Sequence, residues 1–145
     1  MFRHILLPTD GSPLSEVAVR KGIEFAKTIN ARVTGFCVVP ALPYVGCEAE
    51  IGAEFKKQAE VAVQAEVNKN LLAIEKAAKE AGVECETEKV KNVQPYEAII
   101  DAAVKKECDL IIMASHGRRG VGAFLIGSET QKVLTHSKIP VLVYR

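Results

Sequence analysis

The feature that most limits how this chain can fold is alternation: strand-like and helix-like segments take turns from one end to the other. His4 to Pro8 is a short, β-rich apolar run. Asp10-Gly11-Ser12-Pro13 then supplies a turn, an N-cap at Ser12 and a proline at the first helical position. Leu14, Ala18, Phe25 and Ile29 follow at helical spacing, so a first helix is expected to reach Thr28 or Ile29. Arg32 to Val39 reads as a second strand, and Pro40 to Gly52, with two prolines and two glycines, reads as a loop. A long helix is expected next, its apolar face carried by Phe55, Ala59, Val63, Val67, Leu71, Ile74, Ala78 and Ala81, with Gly82 as its stop. Val83 to Val90 alternates like a strand near a sheet edge. Pro95 opens a third helix, with Ile99, Ile100, Ala103 and Val104 inward and Lys105-Lys106 where cations suit the dipole. Leu110 to Met113 is wholly apolar, as a central strand covered on both faces should be. Ser128-Glu129-Thr130-Gln131 matches a capping box, with Ser128 at the N-cap of a helix lasting to His136. Ile139 to Tyr144 is the last strand.

Strict alternation with helices of this length means parallel strands joined by right-handed crossovers. The expected fold is α/β: one domain over residues 1–145, an open five-stranded parallel sheet with helices on both faces. A length of 145 residues suits one such domain and needs no staples. The formal net charge of +1 provides no electrostatic footprint for nucleic acid or an anionic membrane. No apolar run approaches the ~20 residues of a membrane span, and the stretch from Met1 to Pro8 is too short for a signal peptide. A cytoplasmic location is expected. Cys37, Cys47, Cys85 and Cys108 form no C-x-x-C pair and read as free, mostly buried thiols.

Ligands of an open parallel sheet bind outside the carboxyl ends of its strands, where strand order reverses. Two strand ends carry unusual residues. The first ends in Pro8-Thr9-Asp10-Gly11-Ser12; the fourth runs into Ala114-Ser115-His116-Gly117-Arg118-Arg119-Gly120-Val121-Gly122 and reaches a helix at Gly127-Ser128. A glycine-rich loop leading into a helix N-terminus suits phosphate, because the backbone can approach closely and the first helical amides have no partner. The Ser128 hydroxyl can serve phosphate or cap its own helix, and those jobs compete. Two familiar signatures fail. Gly117 and Gly122 have P-loop spacing, but Ala123-Phe124 stands where Lys-Ser/Thr is required. A dinucleotide fingerprint would need glycine at Leu125, and should follow the first strand.

A third pattern fits. Ala114-Ser115-His116-Gly117, nine residues, then Gly127-Ser128 resembles the Gly-x-x-Gly, nine residues, Gly-Ser/Thr pattern of the nucleotide-binding branch of the universal stress protein family. The resemblance extends to Pro8-Thr9-Asp10, to Val38 and to the closing Ile139-Pro140-Val141-Leu142-Val143, and so runs the whole chain. It departs at Ala114, which replaces the first glycine. The resemblance implies a Rossmann-like sheet of the adenine nucleotide α-hydrolase type, with strand order 3-2-1-4-5. It implies ATP as ligand, with Mg or Mn. Pro8, Thr9, Asp10 and Val38 would line the adenine and ribose end. Met113, Ala114 and Gly117 would contact ribose and the first phosphate. Gly127, Ser128 and the amide of Glu129 would hold the outer phosphates. It further implies a homodimer through the last strand, with Val141 and Val143 suited to it, and an unidentified regulatory partner.

Several residues keep two readings. Asp10 is a metal or ribose ligand, or the turn residue that starts the first helix. His116 is a general base or a loop-packing residue, and the sequence places no nucleophile or partner carboxylate for it by motif. His136 fits a helix C-terminus and His4 a structural place on its strand. Arg118 and Arg119 neutralise a triphosphate or belong to a solvated loop. The function expected is an ATP-binding stress-response module. The alternatives are a slow ATPase or nucleotidyl-transferring enzyme of the same fold, and a nucleotide-free stress protein. A flavodoxin-like electron carrier is the outsider, since few aromatics are available to sandwich a flavin. With no Walker lysine, no motif-placed base and no second domain, binding is favoured over turnover.

Overall fold

The computed structural model describes residues 1–41, 49–118 and 125–145, with the backbone alone for 49–51. Cys47, most of the loop expected between Pro40 and Gly52, and Arg119, Gly120, Val121, Gly122, Ala123 and Phe124 lie outside the described residues. The elements run β1 (His4–Pro8), α1 (Pro13–Ile29), β2 (Arg32–Pro40), α2 (Ala49–Ala81), β3 (Cys85–Asn92), α3 (Pro95–Lys105), β4 (Leu110–Ala114), α4 (Ser128–His136) and β5 (Val141–Tyr144). The strands form one parallel sheet in the order β3-β2-β1-β4-β5. The chain winds outward from β1 to β3, then crosses back to place β4 on the other side of β1. The switch point therefore lies between the carboxyl ends of β1 and β4.

Alternation along the strands sorts the core into two layers. Ile5, Leu7, Val33 and Ile112 pack with Val19 and Ile23 of α1 and Leu71 and Ile74 of α2. Leu6, Phe36, Ile111 and Met113 pack with Ile99 and Ala103 of α3 and Val133 of α4. Every residue of β1 and β4 is buried, so the two strands flanking the switch point have fixed positions. On β2, Gly35 lets α2 come close: a Cβ there would lie 2.8 Å from Ile74 Cγ2. Among the described residues no helix is long and apolar enough to cross a membrane.

Local signals placed several ends well. Ser12 caps α1 by accepting from the Ser15 amide at 3.4 Å, Pro13 follows it, and Gly82 ends α2 at φ +74. Other expectations are corrected. On α1 the buried stripe is Ala18, Val19, Ile23 and Ala26, while Leu14, Phe25 and Ile29 are only half-buried. α2 begins at Ala49, and Phe55 is 72% exposed; the inward stripe is sealed only from Val67 to Ala78, where the helix lies over the sheet. On α3, Val104 is 63% exposed, and Ala98 and Ala102 take the inward positions. β3 starts two residues later than expected because the Val83 amide closes the end of α2 onto Ala78 O. Ile139 precedes β5, held in a turn by the Ser137 hydroxyl.

Candidate functional site at the switch point

The turn after β1 is built from its own short polar side chains. The Thr9 amide donates to Phe36 O at 2.9 Å, extending the β1–β2 ladder by one bond. Thr9 Oγ1 accepts from the Gly11 amide at 3.1 Å and lies 2.9 Å from Ser15 Oγ. Gly11 takes φ +75, the left-handed region, so glycine suits the turn. Asp10 then does two things at once. Its Oδ1 accepts from the Ser12 amide at 3.0 Å, and its Oδ2 accepts from the Arg118 amide at 2.9 Å in the loop after β4. One carboxylate thus ties both strand ends of the switch point together. Partial burial pushes this carboxyl up, but hydrogen bonds from Ser12, Arg118 and Ser15 outweigh it and hold it below the ordinary carboxylate range. It is an anion at neutral pH.

Gly117 is needed for contact rather than conformation. A Cβ at that position would overlap Asp10 Oδ2, so any side chain there displaces the carboxylate. Ala114, the departure from the family pattern, lies in β4 and does not have a positive φ, so its methyl group costs no backbone strain. Pro8, Val38 and Met113 fall on the same face of their strands as Leu6, Phe36 and Ile111. They give the carboxyl end of the sheet an apolar wall on the α3–α4 side.

The N-terminus of α4 is clamped against the end of β4. The Gly127 amide donates to Ser115 O at 2.7 Å, and Thr130 Oγ1 donates to Ala114 O at 3.0 Å. A Cβ on Gly127 would come within 3.1 Å of His116 Cα, so glycine permits this close approach of two backbones. The expected capping box is corrected. Gly127 is the N-cap, Ser128 is the first helical residue, and α4 has no side-chain cap. Gln131 Nε2 donates instead to Ile126 O. The Ser128 hydroxyl is therefore released from capping, and the first intrahelical bond runs from the Gln131 amide to Gly127 O. Ser128, Glu129 and Thr130 are the first-turn positions whose amides have no intrahelical acceptor.

The remaining candidates have clear surroundings. His116 Nδ1 lies 3.2 Å from Ser115 Oγ, and no carboxylate bonds to it among the described residues. Arg118 is exposed and pairs through its guanidinium with Glu66 of α2, as a solvated loop residue can. Asn70, one turn along α2 from Glu66, packs against Gly11. Neither α2 residue was visible as part of the site in sequence, because helical spacing shows that they share a face but not what that face meets. Glu129 was chosen for its amide, yet its side chain is also engaged: it accepts from the Tyr96 amide at 2.9 Å and from Lys132 Nζ at 3.1 Å. Among the described residues no group of three His, Cys, Asp or Glu is arranged to hold a metal. Cys37, Cys85 and Cys108 are free thiols. Burial pushes Cys37 and Cys108 each up to about 12, with Asp10 adding to the effect on Cys37, so both are protonated and inert.

Fold and site define an open parallel α/β domain with the N-terminus of a helix at its switch point. The family model described as the universal stress protein family matches residues 1–145, and the chain belongs to that family. It is 34% identical over 145 residues to the universal stress protein MJ0531 of Methanocaldococcus jannaschii, an alignment covering 100% of this chain and 83% of the relative. Among solved structures it is similar to that of MJ0577, a universal stress protein of the same organism, with a TM-score of 0.80 and 30% identity over 99% of this chain and 95% of that one. A universal stress protein solved in complex with cAMP shares the fold, with a TM-score of 0.73 and 24% identity over 99% of this chain and 97% of that one.

Proposed function

We propose that this universal stress protein binds ATP at the switch point and acts as a nucleotide-dependent regulatory module. One observation carries the reading. The N-terminus of α4 is pressed against the end of β4 by Gly127, while Ser128 is left free of capping, opposite the turn that Asp10 and Gly117 lock together. In this reading, helix amides with no intrahelical acceptor and a hydroxyl free of capping suit an anion at that point. In this reading Pro8, Thr9, Asp10 and Val38 receive adenine and ribose. Met113, Ala114 and Gly117 lie along ribose and the first phosphate, and Gly127, Ser128 and the Glu129 amide take the outer phosphates. With no cluster of three metal-ligating side chains among the described residues, Mg or Mn would be held mainly by the phosphates, with Asp10 alongside.

Binding rather than turnover is the proposed activity, because His116, 3.2 Å from the Ser115 hydroxyl, has no carboxylate among the described residues to orient it as a base. The module is proposed to work in the cytoplasm, as a homodimer joined through β5, toward a regulatory protein. β5 is an edge strand. Pro140 O and Tyr144 O accept from β4, so Val141 and Val143 turn their own backbone groups to the open side.

The test is to denature the purified protein, identify any released nucleotide by chromatography, and titrate ATP, AMP and cyclic AMP into nucleotide-free protein. Release of an adenine nucleotide, with ATP the tightest of the three, is expected. Absence of binding by all three would overturn the reading.

A further inference from the structure

The side chain of Glu129 is a feature that the phosphate reading does not use. α3 starts without a side-chain cap from Gln94, and Pro95 at its first position has no N–H, so the Tyr96 amide is its first donor. That donor is taken by Glu129 Oε2 at 2.9 Å, from the first turn of a different helix. Lys132 Nζ holds the other oxygen at 3.1 Å and lies 5.4 Å from the centre of the Tyr96 ring, and the His136 ring packs against the same ring at a tilt of 42°, with centres 5.2 Å apart. The two helix starts are therefore joined by a carboxylate whose reach and direction are set from both sides.

From this we infer that Glu129 is a positioning residue for the outer-phosphate end of the site: its bond to the α3 terminus fixes the first turn of α4, and with it Ser128 and the free amides. The inference rests on the nucleotide reading above. A carboxylate one residue from Ser128 would repel phosphate if it turned inward. Drawn to Tyr96 and Lys132, it braces the helix from behind instead. Of the proposed nucleotide contacts the bond touches only those on α4, so it bears on the outer phosphates and leaves the contacts of adenine, ribose and the first phosphate to the ends of β1, β2 and β4.

Two conservative variants separate reach from charge, with ATP and AMP titrated calorimetrically into the full chain with Mg. Glu129→Asp keeps the charge but is one methylene too short for the Tyr96 amide, and should lower the ATP:AMP affinity ratio about fivefold, the worth of a lost helix cap. Glu129→Gln keeps the acceptor and the length, and should recover most of that ratio. A merely structural role would lower the melting temperature of Glu129→Asp and leave the ratio unchanged, which overturns the inference. So would the reverse order, with Gln damaging the ratio and Asp sparing it, since charge would then matter and reach would not. If the wild-type chain binds neither nucleotide, the site reading itself fails and takes this inference with it.

Discussion

At the scale of single residues, the site depends on what one carboxylate holds. Asp10 joins the turn after β1 to the loop after β4, and Gly117 leaves it room. Gly117→Ala should therefore displace Asp10, weaken ATP binding and cost about 1–3 kcal/mol of stability, as overpacking typically does; calorimetric titration and urea unfolding would check both effects. Two titrations act in separate pH windows. Asp10 has a folded value below its ordinary 3.8, so its contribution is present above that value and lost as pH falls through the lower one. His4 behaves differently. It is buried on β1 with Nε2 2.7 Å from Thr34 Oγ1. Burial, then Arg32, lowers its value, against opposing effects of Glu86, the Lys106 carbonyl and Asp109. The unfolded chain then binds the proton more tightly, so stability declines as pH drops through the ordinary value of 6.5. His4→Gln should flatten the dependence of urea stability on pH between about 5 and 7; an unaltered slope would show that His4 is not its source.

Elements were legible in sequence to the extent that their signals are local. β1, the Ser12-Pro13 start of α1 and the Gly82 stop of α2 depend on residues within a turn of each other, and these came out as read. Phe55 and Val104 did not, because helical period identifies an apolar stripe without saying how far the sheet beneath extends. The Ser128 capping box failed for a related reason: Gly127 can approach His116 more closely than a residue with a side chain, and that shifts the cap by one position. The Glu129–Tyr96 and Arg118–Glu66 contacts, 33 and 52 residues apart in sequence, have no local signature at all. Where period and packing agree, the energetic consequence is large. Ile74 lies on the buried stripe of α2 against Gly35, so Ile74→Ala should cost about 2–5 kcal/mol in urea unfolding.

For the molecule as a whole, the topology determines both the site and the open edge. Winding outward from β1 and returning to β4 creates a switch point, and it leaves β5 at the margin with Leu142 42% exposed. If β5 joins two copies, the outward amide of Val143 takes part, while its neighbours keep the ladder to β4. Val143→Pro should then shift the sedimenting species from dimer to monomer without loss of helical circular dichroism. A wild-type chain that sediments as a monomer would rule out that assembly. The central claim concerns the end of α4 and has a direct test. Calorimetric titration of ATP into the wild-type chain and into Ser128→Ala should show binding in the first and about tenfold weaker binding in the second, as expected for a lost hydrogen bond to a charged phosphate. Equal ATP affinity in the two proteins would contradict the assignment of the α4 N-terminus as the phosphate site.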